Sequence, residues 1–274
     1  MSLKGIAQQT LEIISSGHYQ NSKGERVELA ASVQRAVEET RLYTPAALSN
    51  LLSSTEAAER GACIHVANET TQIASERLSR RHDDVVLLNF ASAKNAGGGF
   101  LNGAKAQEED LARCSALYPC LMTQREYYEA NRRDGTMLYT DHMIYSPAVP
   151  FFRVTSRELI DVPFYSAVIT APAPNAGEHL RRHPGGHAEI SAALRRRAGY
   201  VLAVAKDRGH RHLVLGAWGC GVFRNDPSEV AAVFADWLSD RQFADAFDHV
   251  DMPVLDRTKS QANITAFETR FAGV

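Results

Sequence analysis

The chain has 274 residues, of which 45% are hydrophobic and 23% charged, and this balance is ordinary for a soluble globular protein. That length fits one large domain, or one domain with a helical extension. The net charge of -2 argues against a general nucleic-acid or membrane-surface binder, because such proteins need a basic excess. We therefore expect no direct nucleic-acid partner and no membrane partner.

The amino terminus lacks the apolar core of a secretory signal, and no apolar run approaches the ~20 residues that span a bilayer. The four cysteines show no CxxC spacing, so the sequence predicts neither a disulfide framework nor a zinc site. The ten histidines show no HExxH or other metal-ligand spacing, and no metal is expected. These features favour a reducing, cytoplasmic compartment.

The first sixty residues show short structural elements but no group of chemically active side chains. The predicted elements are a helix over 3–16 that Gly17 ends, a hairpin over 19–29, a helix over about 31–41, and further helical pieces to about residue 59. We interpret residues 1–60 as an accessory region of helices and a hairpin, and residues 61–274 as the catalytic domain.

From Cys63 onward, short apolar runs alternate with helical patterns. The predicted strands are 63–67, 85–90, 143–146, 151–154, 165–170, 212–216 and 250–255. The predicted helices are 70–78, 107–117, 187–207 and 227–240. Buried strands that alternate with helices indicate a three-layer α/β domain with a mixed central sheet and an N-terminal helical extension.

The most informative feature is the triple glycine Gly97, Gly98 and Gly99, which is followed after seven residues by Gln107-Glu108-Glu109. Three glycines let the backbone approach a ligand closely and present N–H groups to it, because no Cβ intervenes. Adjacent carboxylates just beyond such a loop can transfer protons on whatever the loop holds. The pattern predicts an enzyme that acts on a phosphate-bearing substrate.

A second glycine-rich segment, Gly216-Ala-Trp-Gly-Cys-Gly-Val-Phe-Arg-Asn225, also follows an apolar strand. Two such loops at neighbouring strand ends can hold a diphosphate from both sides, since ligands of α/β sheets bind outside the carboxyl ends of the strands. Neither loop is a Walker motif, because no Gly-Lys-Ser/Thr follows the glycines. Each loop alone is equally compatible with a tight turn that needs positive φ.

The triple glycine, its seven-residue spacer and Gln107-Glu108-Glu109 resemble the signature of poly(ADP-ribose) glycohydrolases, and the flanking residues 89–101 resemble the compact bacterial branch. The second segment is similar to the phosphate loop that this family shares with macrodomains. The resemblance spans about residues 60–256. It implies a macrodomain-like fold, no dissociable cofactor, and a role in reversing ADP-ribosylation, including that of the DNA damage response.

The resemblance also implies roles for individual side chains. Glu109 supplies the proton to the leaving oxygen and then serves as the base toward water, which requires a carboxyl with a raised pKa. Glu108 is a possible like-charged neighbour and orients the scissile ribose. Asn95 contacts a ribose hydroxyl, and Gln107 either bridges the loop and the ribose site or simply begins the helix.

The expected diphosphate lies between Gly97–Gly99 and a second set of backbone N–H groups, with Phe223 stacked on the terminal ribose or restricting it. The residues of that second set are Gly219, Cys220, Gly221, Val222 and Phe223. For adenine we expect a polar contact from Asn68, Glu69 or Thr70, near the end of the 63–67 strand. Phe267 and Phe271 either form an aromatic platform or pack against the sheet.

Three functions remain open from the sequence. The first is a hydrolase of poly(ADP-ribose), with poly(ADP-ribose), ADP-ribose and ADP-ribosylated proteins as partners. The second is a reader module that binds ADP-ribose without turnover, and the third is a hydrolase of mono-ADP-ribosyl proteins or other ADP-ribose esters. The Glu108-Glu109 pair argues against the reader, because a binding-only site gains nothing from carboxylates near a diphosphate.

Overall fold

A seven-stranded mixed sheet forms the centre of the protein, and a separate two-stranded hairpin lies near the amino terminus. The computed structural model describes residues 1–53, 61–243 and 245–272. Within these residues the strands are β1 (His18–Gln20), β2 (Arg26–Glu28), β3 (Arg41–Tyr43), β4 (Cys63–Ala67), β5 (Val85–Phe90), β6 (Met143–Phe151), β7 (Phe164–Ala171), β8 (His212–Val214) and β9 (His249–Pro253).

The helices lie on both faces of this sheet. In the described residues they are α1 (Leu3–Ser16), α2 (Ala30–Glu39), α3 (Pro45–Ser53), α4 (Thr71–Ser79), α5 (Gln107–Cys114), α6 (Leu117–Met122), α7 (Arg125–Asp134), α8 (Ala176–Arg182), α9 (His187–Asp207), α10 (Pro227–Leu238) and α11 (Ala262–Phe271). No helix in the part of the chain that the structure describes is both long enough and apolar enough to span a bilayer.

The strand order of the central sheet is β3-β6-β7-β5-β8-β9-β4. The pairs from β7 to β4 are parallel, whereas β6 runs antiparallel to both β3 and β7. The carboxyl ends of β5, β8, β9 and β4 therefore meet at one edge of the sheet, which we call the carboxyl edge. Loops that follow these strands are brought together there.

Alternating side chains of the strands belong to two hydrophobic cores, one on each face of the sheet. Val86 and Leu88 of β5 belong to the core that contains side chains of α9, α10 and α11. Val85 and Leu87 belong to the opposite core, beside side chains of α4, α5 and α6. Because successive strand residues point to opposite faces, this alternation produces three layers. The expected three-layer α/β fold with a mixed sheet is confirmed.

The predicted N-terminal helix and hairpin are present. The Ser2 hydroxyl caps α1 by accepting the Gly5 N–H, and Gly17 ends the helix at φ 72°, in the left-handed region that glycine adopts without strain. The sequence did not predict β3, which pairs antiparallel with β6 and so places part of the first sixty residues in the central sheet. The boundary at residue 60 stays a prediction, and the helical pieces predicted over 54–59 lie outside the described residues.

Several elements differ from the prediction. The helix predicted over 107–117 stops at Cys114, because Ser115 is extended and bridges to Phe151. The strand predicted over 151–154 is wrong, since β6 already ends at Phe151 and the N–H groups of Phe152 and Arg153 both donate to Cys114 O. Helix α11 carries a buried face but was not predicted.

A buried polar network ties α1 to the rest of the domain. The Thr10 hydroxyl donates to Arg113 O at the end of α5 and accepts from Arg153 Nη1, both at 2.8 Å. Arg113 is itself fully buried and donates to Ala104 O and to Asp110. The amino-terminal helix is thus fixed to the helix that carries Glu108 and Glu109.

Candidate active site

The two glycine loops lie side by side at the carboxyl edge. The first glycine loop (residues 91–106) follows β5, and the second glycine loop (residues 216–225) follows β8, its direct neighbour in the sheet. The indole N–H of Trp218 anchors the second loop by donating to Ala171 O at the end of β7. The two loops therefore follow adjacent strands, as we expected from the sequence. Binding of one ligand between them stays a prediction.

The first glycine loop is folded tightly over the acid pair. Gly97 and Gly98 adopt φ values of 66° and 56°, which side chains other than glycine rarely tolerate. A Cβ on Gly98 would lie 2.3 Å from Glu109 Oε1 and 3.3 Å from Glu108 Oε2. Glycine is required at this position because both carboxyl groups occupy the space that a side chain would need.

Glu109 is presented at the surface of this loop. It is half-buried in the first turn of α5, and the Gly99 N–H donates to its Oε1 at 2.9 Å. Its Oε2 accepts no hydrogen bond from any residue within the described ranges. One oxygen is fixed and the other is available, which suits a carboxyl that must exchange a proton with a ligand.

Glu108 lies beneath the loop and is only 2% exposed. Its Oε2 accepts the Ser92 N–H at 2.7 Å, and its Oε1 accepts from the Asn89 amide at 3.3 Å. Burial raises the pKa of Glu108 to about 8, with a further upward contribution from the charge of Glu109, although the hydrogen bonds from Ser92 and Asn89 lower it. The buried acid therefore holds a proton at neutral pH.

Gln107 braces α5 against β5. Its Oε1 accepts the Phe90 N–H at 2.8 Å, and its Nε2 donates to Leu88 O at 2.8 Å and to the Thr71 hydroxyl at 3.2 Å. Of the two interpretations left open, Gln107 begins the helix and in addition fixes the strand that enters the first loop. A contact between Gln107 and a ribose stays a prediction.

Asn95 is exposed on the first glycine loop, where its carbonyl accepts the Gly98 N–H. Its side-chain amide makes no hydrogen bond with the residues that the structure describes. The amide is therefore available to a ligand, and the predicted ribose-hydroxyl contact stays a prediction.

The second glycine loop takes its shape from Asn225. The buried Asn225 amide donates to Pro174 O at 2.9 Å and to Gly219 O at 3.0 Å. Gly219 adopts φ 75°, and a Cβ on it would lie 2.4 Å from Asn225 Nδ2. Our site prediction missed Asn225, although it is the last residue of the segment that we singled out.

This loop offers a row of free backbone donors. Among the residues that the structure describes, no hydrogen bond engages the N–H groups of Gly219, Gly221, Val222 or Phe223. A Cβ on Gly221 would meet no atom within 4 Å, so the space in front of the loop is open. Successive free N–H groups that face an open space form a concavity for an anion.

Two other side chains of the second glycine loop have structural explanations. Burial raises the pKa of the Cys220 thiol to about 12, so Cys220 is a neutral, small residue of the loop. Phe223 is half-buried, and its ring centroid lies 5.8 Å from that of Tyr139. Its predicted contact with the terminal ribose stays a prediction.

The first glycine loop uses most of its own donors. Gly98 N–H donates to Asn95 O, and Gly99 N–H donates to Glu109. A contact between Gly97–Gly99 and the diphosphate stays a prediction, and it requires an exchange of these bonds.

The residues expected at the adenine have partners within the protein. The Glu69 carboxylate forms an ion pair with Arg77 at 2.7 Å, and the Thr70 hydroxyl caps α4 by accepting the Ile73 N–H. Their predicted adenine contacts remain untested. Phe267 is fully buried and Phe271 is 6% exposed, both in the core, so packing against the sheet is the interpretation that the structure supports.

The fold and the site together define a macrodomain-like α/β domain in which a loop with free backbone N–H groups and a loop that leads to a helix-borne acid pair follow neighbouring strands. Such a combination suits hydrolysis of a nucleotide-diphosphate sugar. Comparison with known proteins gives the family. Residues 7–154 match the family described as "Microbial-type PARG, catalytic domain", and the chain belongs to this family of poly(ADP-ribose) glycohydrolases.

Solved structures of bacterial relatives support the same assignment. The chain is 45% identical to poly(ADP-ribose) glycohydrolase from Thermomonospora curvata, with a TM-score of 0.93 over 98% of this chain and 99% of that one. The same enzyme bound to the inhibitor ADP-HPD gives a TM-score of 0.91 at 45% identity, with the same coverage of both chains.

A third match is poly(ADP-ribose) glycohydrolase from Deinococcus radiodurans in complex with ADP-ribose. It is 42% identical, with a TM-score of 0.85 over 90% of this chain and 100% of that one. The search of curated proteins found no match.

Proposed function

We propose that this chain hydrolyses the ribose–ribose O-glycosidic bonds of poly(ADP-ribose) and releases ADP-ribose, with Glu109 as the general acid and base. Membership in the glycohydrolase family supports this function, as does the likeness to enzymes whose structures hold ADP-ribose or the inhibitor ADP-HPD. The single observation that carries the proposal is a pair of loops on the neighbouring strands β5 and β8, one of which holds Glu109 with one free oxygen while the other leaves its N–H donors free.

In this proposal the second glycine loop holds the diphosphate. The free N–H groups of Gly221, Val222 and Phe223 donate to phosphate oxygens, and no lysine is needed because the backbone supplies the partial positive charge. Phe223 lies at the end of this row and borders the ribose. With the diphosphate bound in this way, the scissile bond lies close to the first glycine loop.

Glu109 then acts twice. Its proton passes to the oxygen that leaves with the rest of the polymer while the anomeric C–O bond breaks through an oxocarbenium-like transition state. The resulting carboxylate removes a proton from the attacking water, and the water oxygen bonds to the anomeric carbon. The acid is restored, so atoms and charge balance over the cycle.

Glu108 supports this chemistry by remaining neutral. Its buried carboxyl retains a proton below pH of about 8, so Glu108 adds no negative charge near the diphosphate. It also fixes the entry of the first glycine loop through the Ser92 N–H. We further propose that it orients the scissile ribose by hydrogen bonding.

The test compares Glu109→Gln with the parent on labelled poly(ADP-ribose). We expect polymer cleavage to fall by at least about 10²-fold, because the variant can neither donate nor accept the proton. Calorimetry with ADP-ribose is expected to show an affinity within about threefold of the parent, because the second glycine loop is unchanged. Glu129→Gln, which removes an exposed carboxyl of α7, is the matched control and is expected to retain full activity.

The same assay separates the alternatives. A parent protein that binds ADP-ribose and releases nothing from the polymer is a reader module. Release of ADP-ribose from mono-ADP-ribosyl protein, without polymer cleavage, identifies the ester or mono-ADP-ribosyl hydrolase. Undiminished cleavage by Glu109→Gln contradicts the role assigned to Glu109.

The wider setting of the reaction is part of the same proposal. Because the polymer is attached to proteins, ADP-ribosylated proteins are the proposed partners. We place the activity in the cytoplasm, in the reversal of ADP-ribosylation and in the response to DNA damage.

A further inference from the structure

A cluster of metal-ligating side chains lies far from the glycine loops. His82 follows α4, Asp84 immediately precedes β5, and His212 is the first residue of β8. All three are at the amino ends of the parallel strands, opposite the carboxyl edge. The six residues of β5 separate the cluster from the first glycine loop by about 20 Å.

We propose that His82, Asp84 and His212 form a site for a divalent transition-metal ion such as Zn²⁺. One ligand atom from each residue lies within 4.8 Å of the others. Two imidazoles and one carboxylate are ligands that Zn²⁺ accepts, and three protein ligands leave a fourth position for water. This inference concerns a second site and goes beyond the proposed hydrolase function.

Two of the three ligands are already held in place. Asp84 Oδ1 lies 2.8 Å from His212 Nδ1, while Asp84 Oδ2 accepts the Arg211 N–H at 2.9 Å. The Asp84 carbonyl interacts with His210 Nδ1 at 2.8 Å. His212 is 9% exposed at the start of its strand. The Arg211 N–H and His210 contacts orient Asp84, and a bound ion would replace the hydrogen that lies between Asp84 Oδ1 and His212 Nδ1.

The third ligand is the movable one. The rings of His82 and His212 stack with their centroids 3.6 Å apart and their planes 17° apart. A metal binds in the plane of each imidazole, so one ion cannot bind both rings while they are stacked. The half-exposed His82 side chain makes no hydrogen bond within the described part of the chain, and it can turn a ring nitrogen toward Asp84. Zn²⁺ would require ligand distances of about 2.0–2.2 Å from this rearrangement.

A bound ion would link the end of α4 to the starts of β5 and β8. Residues 82 and 212 lie far apart along the chain and form no local motif, so we expected no metal from the sequence. The neighbouring Arg211 directs its guanidinium group to Asp248, so its charge is already paired. The site is built by the sheet and not by sequence spacing.

The experiment uses the full-length protein after removal of metals by a chelator. Calorimetric titration with Zn²⁺ is expected to show one ion per chain, and thermal unfolding is expected to shift upward by several degrees at saturation. His82→Ala and Asp84→Asn are each expected to weaken Zn²⁺ binding at least tenfold. His187→Ala, which removes an exposed histidine at the start of α9, is the matched control and is expected to bind as the parent does.

Co²⁺ provides a signal that does not depend on stability. The parent is expected to give visible absorption bands of low-symmetry Co²⁺, and His82→Ala is expected to lose them. Polymer cleavage is expected to change less than twofold on addition of Zn²⁺, since the site lies at the opposite edge of the sheet. The inference is overturned if the parent shows no saturable Zn²⁺ binding, or if both variants bind as tightly as the parent does.

Discussion

The acid pair shows how two adjacent residues of the same type acquire different properties. Glu108 and Glu109 are consecutive at the start of α5, where neighbouring side chains point about 100° apart. Glu108 turns into the core and keeps its proton, whereas Glu109 turns toward Gly98 and Gly99 and remains half-exposed. The glycines are therefore needed to leave space for the two carboxyl groups, whether or not they also contact a ligand.

The raised pKa of Glu108 predicts a pH-dependent cost to stability. Its pKa is about 8 in the folded protein and 4.5 ordinarily, so the folded state binds the proton more tightly. The stabilisation that comes from the protonated Glu108 is complete below pH 4.5, and it is lost as the pH rises from 4.5 to about 8. We expect Glu108→Gln to gain stability relative to the parent over this range, by up to about 1.4 kcal/mol per pH unit.

Denaturant unfolding at a series of pH values measures this difference. Glutamine keeps an acceptor for the Ser92 N–H, and Asn89, whose Oδ1 has no hydrogen-bond partner in the described residues, can accept from the new amide. Glu129→Gln controls for loss of an exposed carboxyl. A stability difference between parent and Glu108→Gln that does not change with pH would show that Glu108 is ionised throughout.

At the scale of elements, the two glycine loops have the same construction and different tasks. The first glycine loop engages its N–H groups with acids and with its own carbonyls, whereas the second glycine loop leaves them free. The proposed division is that one loop positions the carboxyl groups and the other holds the ligand.

Gly221→Ala tests the role of the second glycine loop. A Cβ at Gly221 meets no protein atom within 4 Å and enters the space assigned to the diphosphate. We expect the affinity for ADP-ribose, measured by calorimetry, to fall at least tenfold while the free energy of unfolding changes by less than about 0.5 kcal/mol. Gly185→Ala is the control, since a Cβ there also meets no atom within 4 Å. Equal affinity in both variants would place the ligand elsewhere.

Local patterns predicted the parts of the site that depend on neighbouring residues. The glycine and acid spacing, the strand before each loop and the helix that begins at Gln107 are all encoded within about twenty residues. Asn89 and Ser92 at Glu108, and Arg77 at Glu69, were missed because their partners are chosen by packing. Asn225 was missed for the same reason, since its amide donates to backbone carbonyls of two different loops.

The whole fold could be predicted to the level of its layers, but not its complete sheet. Strand β3 has three residues and no distinct pattern, and only its pairing with β6 defines it. The cluster of His82, Asp84 and His212 likewise exists only because β5 and β8 are neighbours. Contacts between distant segments of the chain are the part that periodicity does not encode.

The link between α1 and α5 predicts a role for the amino-terminal helix in stability. Thr10 is fully buried. Its hydroxyl accepts a hydrogen bond from Arg153 and donates one to Arg113 O at the end of α5. Thr10→Val keeps the shape but removes both hydrogen bonds of the buried hydroxyl, so that Arg153 Nη1 and Arg113 O keep only their bond to each other. We therefore expect the free energy of unfolding to fall by about 1–3 kcal/mol.

Denaturant unfolding measures that loss, and polymer cleavage by the folded variant is expected to stay within about threefold, because Glu109 is held by Gly99. Thr269→Val on the exposed face of α11 is the control and is expected to be neutral. A Thr10→Val protein as stable as the parent would show that the network contributes nothing to stability.

Strand β3 has a further consequence for the outer margin of the sheet. Its three residues cover one end of β6, whose backbone would otherwise present unsatisfied N–H and C=O groups to solvent. A shortened chain that begins at residue 61 would uncover that row and offer it to other molecules for strand addition. We therefore expect removal of the amino-terminal region to favour self-association through this edge.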